Sequence, residues 1–218
     1  MGIKQLAVYC GLGALLLGSC KKDFDPNINY SEKLLSAKQI TISAKSLHTC
    51  QYYDINVNNV TVATVEGKTI HYFGDTFELK TIDDKLLASE KEGKSFLQFS
   101  RSATFYDKNG NVVGYLGEEP MNDSLSWGYI FHFYDQNKNE IGSSQKIGKS
   151  VFNFHKLYDA AGNEDYDIEK KFTLGKATYV LTVEDSKSEI SLVQAILLTC
   201  IENAIEEAHA KKEAKNKE

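Results

Sequence analysis

The stretch Ile190-Ser191-Leu192-Val193-Gln194-Ala195-Ile196-Leu197-Leu198-Thr199-Cys200-Ile201 restricts the fold of this chain more than any other part of it. Wound as a helix it is apolar on nearly every side, so it has no face to leave in water. Counted on to Ile205 it still falls short of the roughly 20 residues that cross a bilayer core, and Glu202, Asn203, Glu206 and Glu207 close it off. Such a segment must be wrapped by other parts of the chain, and those parts read as β. From Lys38 to Asp185 apolar and polar residues alternate, as in Ile40-Thr41-Ile42-Ser43 and Val60-Thr61-Val62-Ala63-Thr64-Val65, the period of a strand with one buried face. Tyr129-Ile130-Phe131-His132-Phe133-Tyr134 and Ala177-Thr178-Tyr179-Val180-Leu181-Thr182-Val183 add the aromatic and β-branched residues that favour strands. An antiparallel barrel with the helix threaded through its middle satisfies both demands. A barrel that holds ligands in the ordinary way would carry an amphipathic helix outside. The helix is expected to start near Asp185 or Ser188, with Ser188 as its cap, and a charged tail over residues 208–218 extends it into water or frays.

The turns repeat. Phe105-Tyr106-Asp107-Lys108-Asn109-Gly110-Asn111, Phe133-Tyr134-Asp135-Gln136-Asn137-Lys138-Asn139 and Leu157-Tyr158-Asp159-Ala160-Ala161-Gly162-Asn163 share an apolar-Tyr-Asp-x-x-(Gly or Lys)-Asn pattern. Each places an aspartate where it accepts bonds from turn amides and then a residue suited to positive φ, which predicts serial hairpins in a meander. Leu79 to Leu87 is a fainter fourth copy. Asp107, Asn109, Asn111 and Glu118 also have the spacing of a calcium loop. Val112 occupies the position where that loop needs glycine, however, and the flanks read as strands, so turn chemistry is the preferred reading and no metal ligands are assigned.

At the other end, Lys4 precedes an apolar run, Leu6 to Gly18, too short to span a membrane and laid out as an export signal. Leu17-Gly18-Ser19-Cys20 resembles the lipobox of bacterial lipoproteins. That resemblance implies a signal peptide over residues 1–19, cleavage between Ser19 and Cys20, and acyl chains on Cys20 that hold the protein to a membrane. Residues 20–37 read as the lipidated cysteine and a polar tether, followed by a barrel domain over 38–207. The start Lys21-Lys22-Asp23-Phe24-Asp25 is similar to the short acidic signals that send lipoproteins of Bacteroidota to the cell surface. An outer-membrane location in the cell envelope follows, with the periplasmic and the surface face both open.

Composition excludes some partners. The chain carries 25 Lys and Arg against 30 Asp and Glu, a net charge of −5, and becomes more acidic once Lys4 leaves with the leader. This is not the footprint of a nucleic-acid binder. Of four cysteines, Cys10 goes with the leader and Cys20 is acylated. Cys50 and Cys200 are free to pair in an exported protein, but Cys200 lies in the most apolar segment, and a buried free thiol is preferred. His48, His71, His132 and His155 stand singly in strand-like segments and read as packed or surface residues. No Gly-x-Ser-x-Gly elbow, His-Glu-x-x-His pair or phosphate-cradling loop occurs. No catalytic residues and no cofactor are therefore assigned.

With its Asp-x-x-Gly-Asn hairpins at Tyr106 to Val113 and Tyr158 to Asn163 and its terminal hydrophobic helix Ile190 to Ile205, the chain resembles the tubby C-terminal-like superfamily, most closely the LURP-one-related branch. The resemblance covers about Ile40 to Glu207 and implies an antiparallel barrel of about twelve strands around a buried C-terminal helix. Tubby proteins bind phosphoinositides through basic residues, and phospholipid scramblases are relatives; this chain has no matching basic cluster, so function does not transfer with fold. The expected role is a membrane-anchored, non-catalytic scaffold or interaction domain with a protein, glycan or lipid partner. The alternatives are a module for lipid or another apolar ligand, and a hydrolase of unfamiliar type.

Overall fold

The computed structural model describes residues 24–46, 51–70, 74–93, 101–123, 126–148, 154–173 and 176–215. A short helix α1 (Tyr30–Leu35) leads into the strands β1 (Gln39–Ser46), β2 (Gln51–Val57), β3 (Val60–Ile70), β4 (Gly74–Thr81), β5 (Leu86–Gly93), β6 (Arg101–Asp107), β7 (Val112–Asp123), β8 (Ser126–Tyr134), β9 (Glu140–Ser144), β10 (Ile147–Gly148), β11 (Phe154–Asp159), β12 (Glu164–Thr173) and β13 (Lys176–Val183), and the chain ends in the helix α2 (Leu192–Lys215). From β1 to β9 each strand pairs antiparallel with its sequence neighbours. The sheet continues through β11, β12 and β13, and β13 returns to β1 with Gln39 opposite Thr182 and Ser43 opposite Thr178. The two-residue β10 lies on β8 beyond β9, so the two are one interrupted course of chain. The result is a closed antiparallel barrel of twelve strands, in which β1 is paired on both sides, by β2 and β13.

The helix α2 fills this barrel. Residues 194–200 and 202–205 are all buried, as the all-round apolar sequence requires. Inward strand positions supply the sheath: Ile40 and Ile42, Tyr53 and Ile55, Phe77 and Leu79, Phe131 and Phe133, Ile168, Tyr179 and Leu181 are each no more than 2% exposed. The cap is Ser191, a correction to the expected Ser188. Ser191 Oγ accepts from the Gln194 N–H at 3.3 Å while Gln194 Oε1 accepts from the Ser191 N–H at 2.9 Å, a reciprocal capping box. Ser188 instead donates to Asp165 Oδ2 at 2.5 Å. The N-terminal boundary is also corrected. Asn29 Oδ1 accepts from the Glu32 N–H, and this cap starts α1, which buries Tyr30 and Leu34 and packs on β3. Phe24 stacks on Tyr30, so the segment expected to be tether up to Ala37 belongs to the folded body from Phe24 onward.

The three repeated turns have one geometry. Oδ1 of Asp107, Asp135 and Asp159 accepts two backbone N–H groups at 2.7–2.9 Å, from the residues two and four positions on. Oδ2 accepts the side-chain amide of Asn111, Asn139 or Asn163 at 2.8–3.0 Å. Gly110, Lys138 and Gly162 have φ of +82°, +67° and +85°. The faint copy follows the same course with Thr81 in place of the aspartate, its Oγ1 accepting from the Lys85 N–H, and Asp84 at φ +63°.

Each of these hairpins, and the β2–β3 hairpin, is followed by a β-bulge at the same level. Just past the bulge, a large inward residue of one strand faces a small one of the next: Ile55 opposite Ala63, Leu79 opposite Ala88, Phe105 opposite Gly114, Phe133 opposite Gly142. These small residues make room for the start of α2. A Cβ on Gly114 would lie 2.9 Å from Gln194 Nε2, and one on Gly142 would lie 2.7 Å from Ile190 Cδ1.

Two outcomes follow. Gly142→Ala drives a methyl into the Tyr158 carbonyl and Ile190 and is expected to cost about 1–3 kcal/mol, whereas Gly110→Ala, with open space around it, costs about 1 kcal/mol through its positive φ alone; urea unfolding of the two variants tests the order. The turn carboxyls are held below the ordinary aspartate range, first by the asparagine side chain and then by backbone amides. Their stabilisation is therefore complete above the unfolded value of ~3.9 and is lost as pH falls through the folded values. A triple Asp→Ser variant at 107, 135 and 159 should be less stable than the parent at neutral pH, with the gap closing in strong acid.

Candidate functional site

The turn end of the barrel receives the start of α2, and the opposite end surrounds its second half. There the inward positions turn polar. With about 100° of rotation per residue, Glu202, Glu206, Asn203 and Cys200 face β11, β12, β13 and β2 in succession. His155 Nε2 of β11 lies 3.0 Å from Glu202 Oε2, both side chains being at most 4% exposed. Lys170 of β12 pairs with Glu206. Tyr179 of β13 donates to Asn203 Oδ1 at 3.1 Å, Asn203 Nδ2 donates to the Tyr53 hydroxyl at 3.1 Å, and Tyr53 donates to the Cys200 carbonyl at 3.0 Å.

The remaining face of the helix, Ile201, Ala204 and Ile205, looks onto a cavity of about 290 Å³ that is partly open to solvent. Phe77, Ala103, Leu116 and Phe131 form its apolar wall, and Glu90, Arg101, Ser102 and Glu118 its polar wall. Strand register orders these groups by depth. Glu90 stands opposite Phe77 and Phe105, while Arg101 stands opposite Glu118, nearer the end away from the turns. Glu90 is 1% exposed and Glu118 9%; Arg101 Nε is 3.4 Å from Glu118 Oε2. Acidic and basic side chains meet here. The Tyr129 hydroxyl is held far above its ordinary range by burial, and the charges of Glu202, Glu206 and Glu118 act in the same direction. Tyr179 is raised by burial and then by Glu206 and Glu202.

Several residues singled out in the sequence have other tasks. The Asp107 oxygens are engaged by Asn109 and Asn111, and Glu118 faces the cavity instead of that turn. His132 bridges Glu119 and Glu140 on the outer surface at 3.0 and 2.9 Å. Cys200 is a buried free thiol, raised by burial. Ser19, Cys20, His48, Cys50 and His71 lie outside the described residues. Glu164, Asp167 and Glu184 bring carboxylates within 4.8 Å of one another, but Lys156 pairs with Glu164 at 2.6 Å, and the group is a half-solvated charge cluster.

The cavity groups and the helix pairs were missed in the sequence, although a signal was there. Glu90 follows the inward Ala88 by two residues, Arg101 precedes the inward Ala103 by two, Glu118 follows Leu116, Lys170 follows Ile168 and His155 precedes Leu157. A charge in phase with the buried set of a strand points inward.

No protein-family model matches this chain, and no curated protein or solved structure matches it. Among the described residues no helix is long and apolar enough to cross a membrane.

The His155–Glu202 pair is expected to be energetically coupled. Glu202→Ala alone should destabilise by about 3 kcal/mol, and His155→Leu combined with Glu202→Leu should recover most of that loss; denaturant unfolding of the singles and the double measures the coupling.

Proposed function

We propose that this protein is a membrane-tethered lipoprotein of the bacterial cell envelope whose barrel is a non-catalytic scaffold or interaction domain, with the tubby-like resemblance accounting for the architecture. The observation that carries this reading is the occupation of the barrel by the chain's own helix, with Glu202, Asn203 and Glu206 engaged by the wall. A core used in this way is a support for surfaces.

The anchor rests on the lipobox-like Leu17-Gly18-Ser19-Cys20. Phe24 is part of the folded body, stacked on Tyr30, and at no more than ~3.5 Å per residue the link to it from Cys20 spans at most about 14 Å. It joins α1, which precedes β1 at the end where β2 and β3 turn. On this reading the aspartate turns face the bilayer, and the end with the cavity faces away from it. Cys20→Ala is expected to move the protein from the membrane to the soluble fraction without altering its circular dichroism, and unchanged membrane association would overturn the anchor.

A second reading has its own observation. The space beside Ile201 and Ile205 is close to the lower limit of small-molecule pockets, ~300 Å³, and joins an apolar wall to a few convergent polar groups. This favours a domain that also takes a small ligand of apolar body.

A further inference from the structure

We propose that one side of the turn end, from α1 and the start of β3 round to the start of β7, docks on the surface of a lipid bilayer, with Phe24, Leu35, Val60 and Val113 reaching the acyl boundary. This rests on the lipoprotein reading above and adds the contact that sets the body against the membrane.

Single exposed apolar residues are ordinary on a protein surface, and it is the placement of these that points to a partner. Among the described residues the large hydrophobic side chains left exposed are Phe24, Leu35, Val60 and Val113, at 51%, 56%, 39% and 43%. All four belong to one end. Val60 opens β3 directly after the turn at Asn58 and Asn59, and Val113 is the second residue of β7, directly after the Asp107 turn. Leu35 closes α1, which packs on β3, and Phe24 stacks on Tyr30 at the start of that helix. Between β3 and β7 stand β4, β5 and β6, so the four side chains share one arc of the rim. Elsewhere among the described residues the outer faces of the strands present no large exposed hydrophobic side chain.

The occupant follows from where the chain leads. Phe24 lies within ~14 Å of Cys20 even at full extension, so acyl chains on that cysteine bring this same arc to the bilayer. Tethering makes the contact intramolecular and its effective concentration high, so a small gain from each side chain suffices. Removing their apolar surface from water at the head-group boundary supplies that gain. Uncharged side chains do not select a head group by charge, and a bilayer without net charge is therefore a sufficient partner.

The experiment places the acylated full chain in phosphatidylcholine vesicles, with and without lipid whose acyl chains carry bromine, a contact quencher of indole fluorescence. The chain has one tryptophan, Trp127, near the start of β8 and so toward the end away from the turns. Its emission is expected to be unchanged by brominated lipid. Val60→Trp and Val113→Trp, both at exposed positions, are expected to add emission that brominated lipid removes. Vesicle binding with the added emission unquenched overturns the docking and leaves the anchor standing, and so does quenching of Trp127. A mature chain that lacks the acyl mass and does not bind vesicles overturns both. If the Cys20→Ala chain is a dimer that Val60→Asp and Val113→Asp together split, the arc belongs to a second copy and the docking is overturned. Should one tryptophan variant fail to fold, the other reports on the same arc.

Discussion

A helix whose first half has no polar side lies on the axis of a closed sheet, and this enclosure governs the rest of the architecture. It requires a barrel wide enough to hold a helix yet without gaps at its start. The bulges after the hairpins tighten the local twist, and Ala63, Ala88, Gly114 and Gly142 thin the wall where α2 begins. The aspartate turns hold that end in shape by tying each hairpin through the same set of amide bonds. The apolar residue that opens each repeat, Leu79, Phe105, Phe133 or Leu157, sits just past the bulge and points inward, and the first three of these face a small residue. The repeated sequence thus encodes a turn, a bend and a core contact together.

A smooth apolar rod in an apolar sleeve would have no fixed depth or rotation. Polar contacts supply both. The Tyr166 hydroxyl donates to the Ile190 carbonyl at 2.7 Å just before the helix, and the Tyr53, Asn203 and Tyr179 chain locks the far half. Burying His155 with Glu202, and Lys170 with Glu206, carries a desolvation cost that a hydrocarbon pair would avoid. What these pairs give in return is a unique setting of the helix, because each comes within reach at one rotation only. The price is an interior whose last third is polar and incompletely packed, and the cavity lies in that third.

Much of the fold was legible in the sequence because it rests on local rules. Alternation marked the strands, Asp107, Asp135 and Asp159 marked the hairpins, and the helix from Ile190 marked the centre. The N-cap was misplaced at Ser188, although Ser191 and Gln194 carry the capping-box spacing; the apolar run around them masked it. α1 was read as tether because its six residues bury only two side chains and show no periodicity of useful length. The site was not legible because it is made by register. Glu90, Arg101 and Glu118 come from three strands and meet Ile205 only once the sheet has curled round the helix. A charge in phase with buried neighbours tells that it points inward but not which group it will meet.

The closing seam joins Gln39 to Thr182, and the element that fills the centre is made after every strand that surrounds it. A ribosome or a translocation channel releasing this chain in order delivers the wall long before its contents. Until α2 arrives, the sheet has nothing to curl around, its inward aromatics remain wet, and β1 has no partner on one side. Contacts of such long sequence separation fold slowly, so the chain becomes compact only once α2 has joined the strands that surround it.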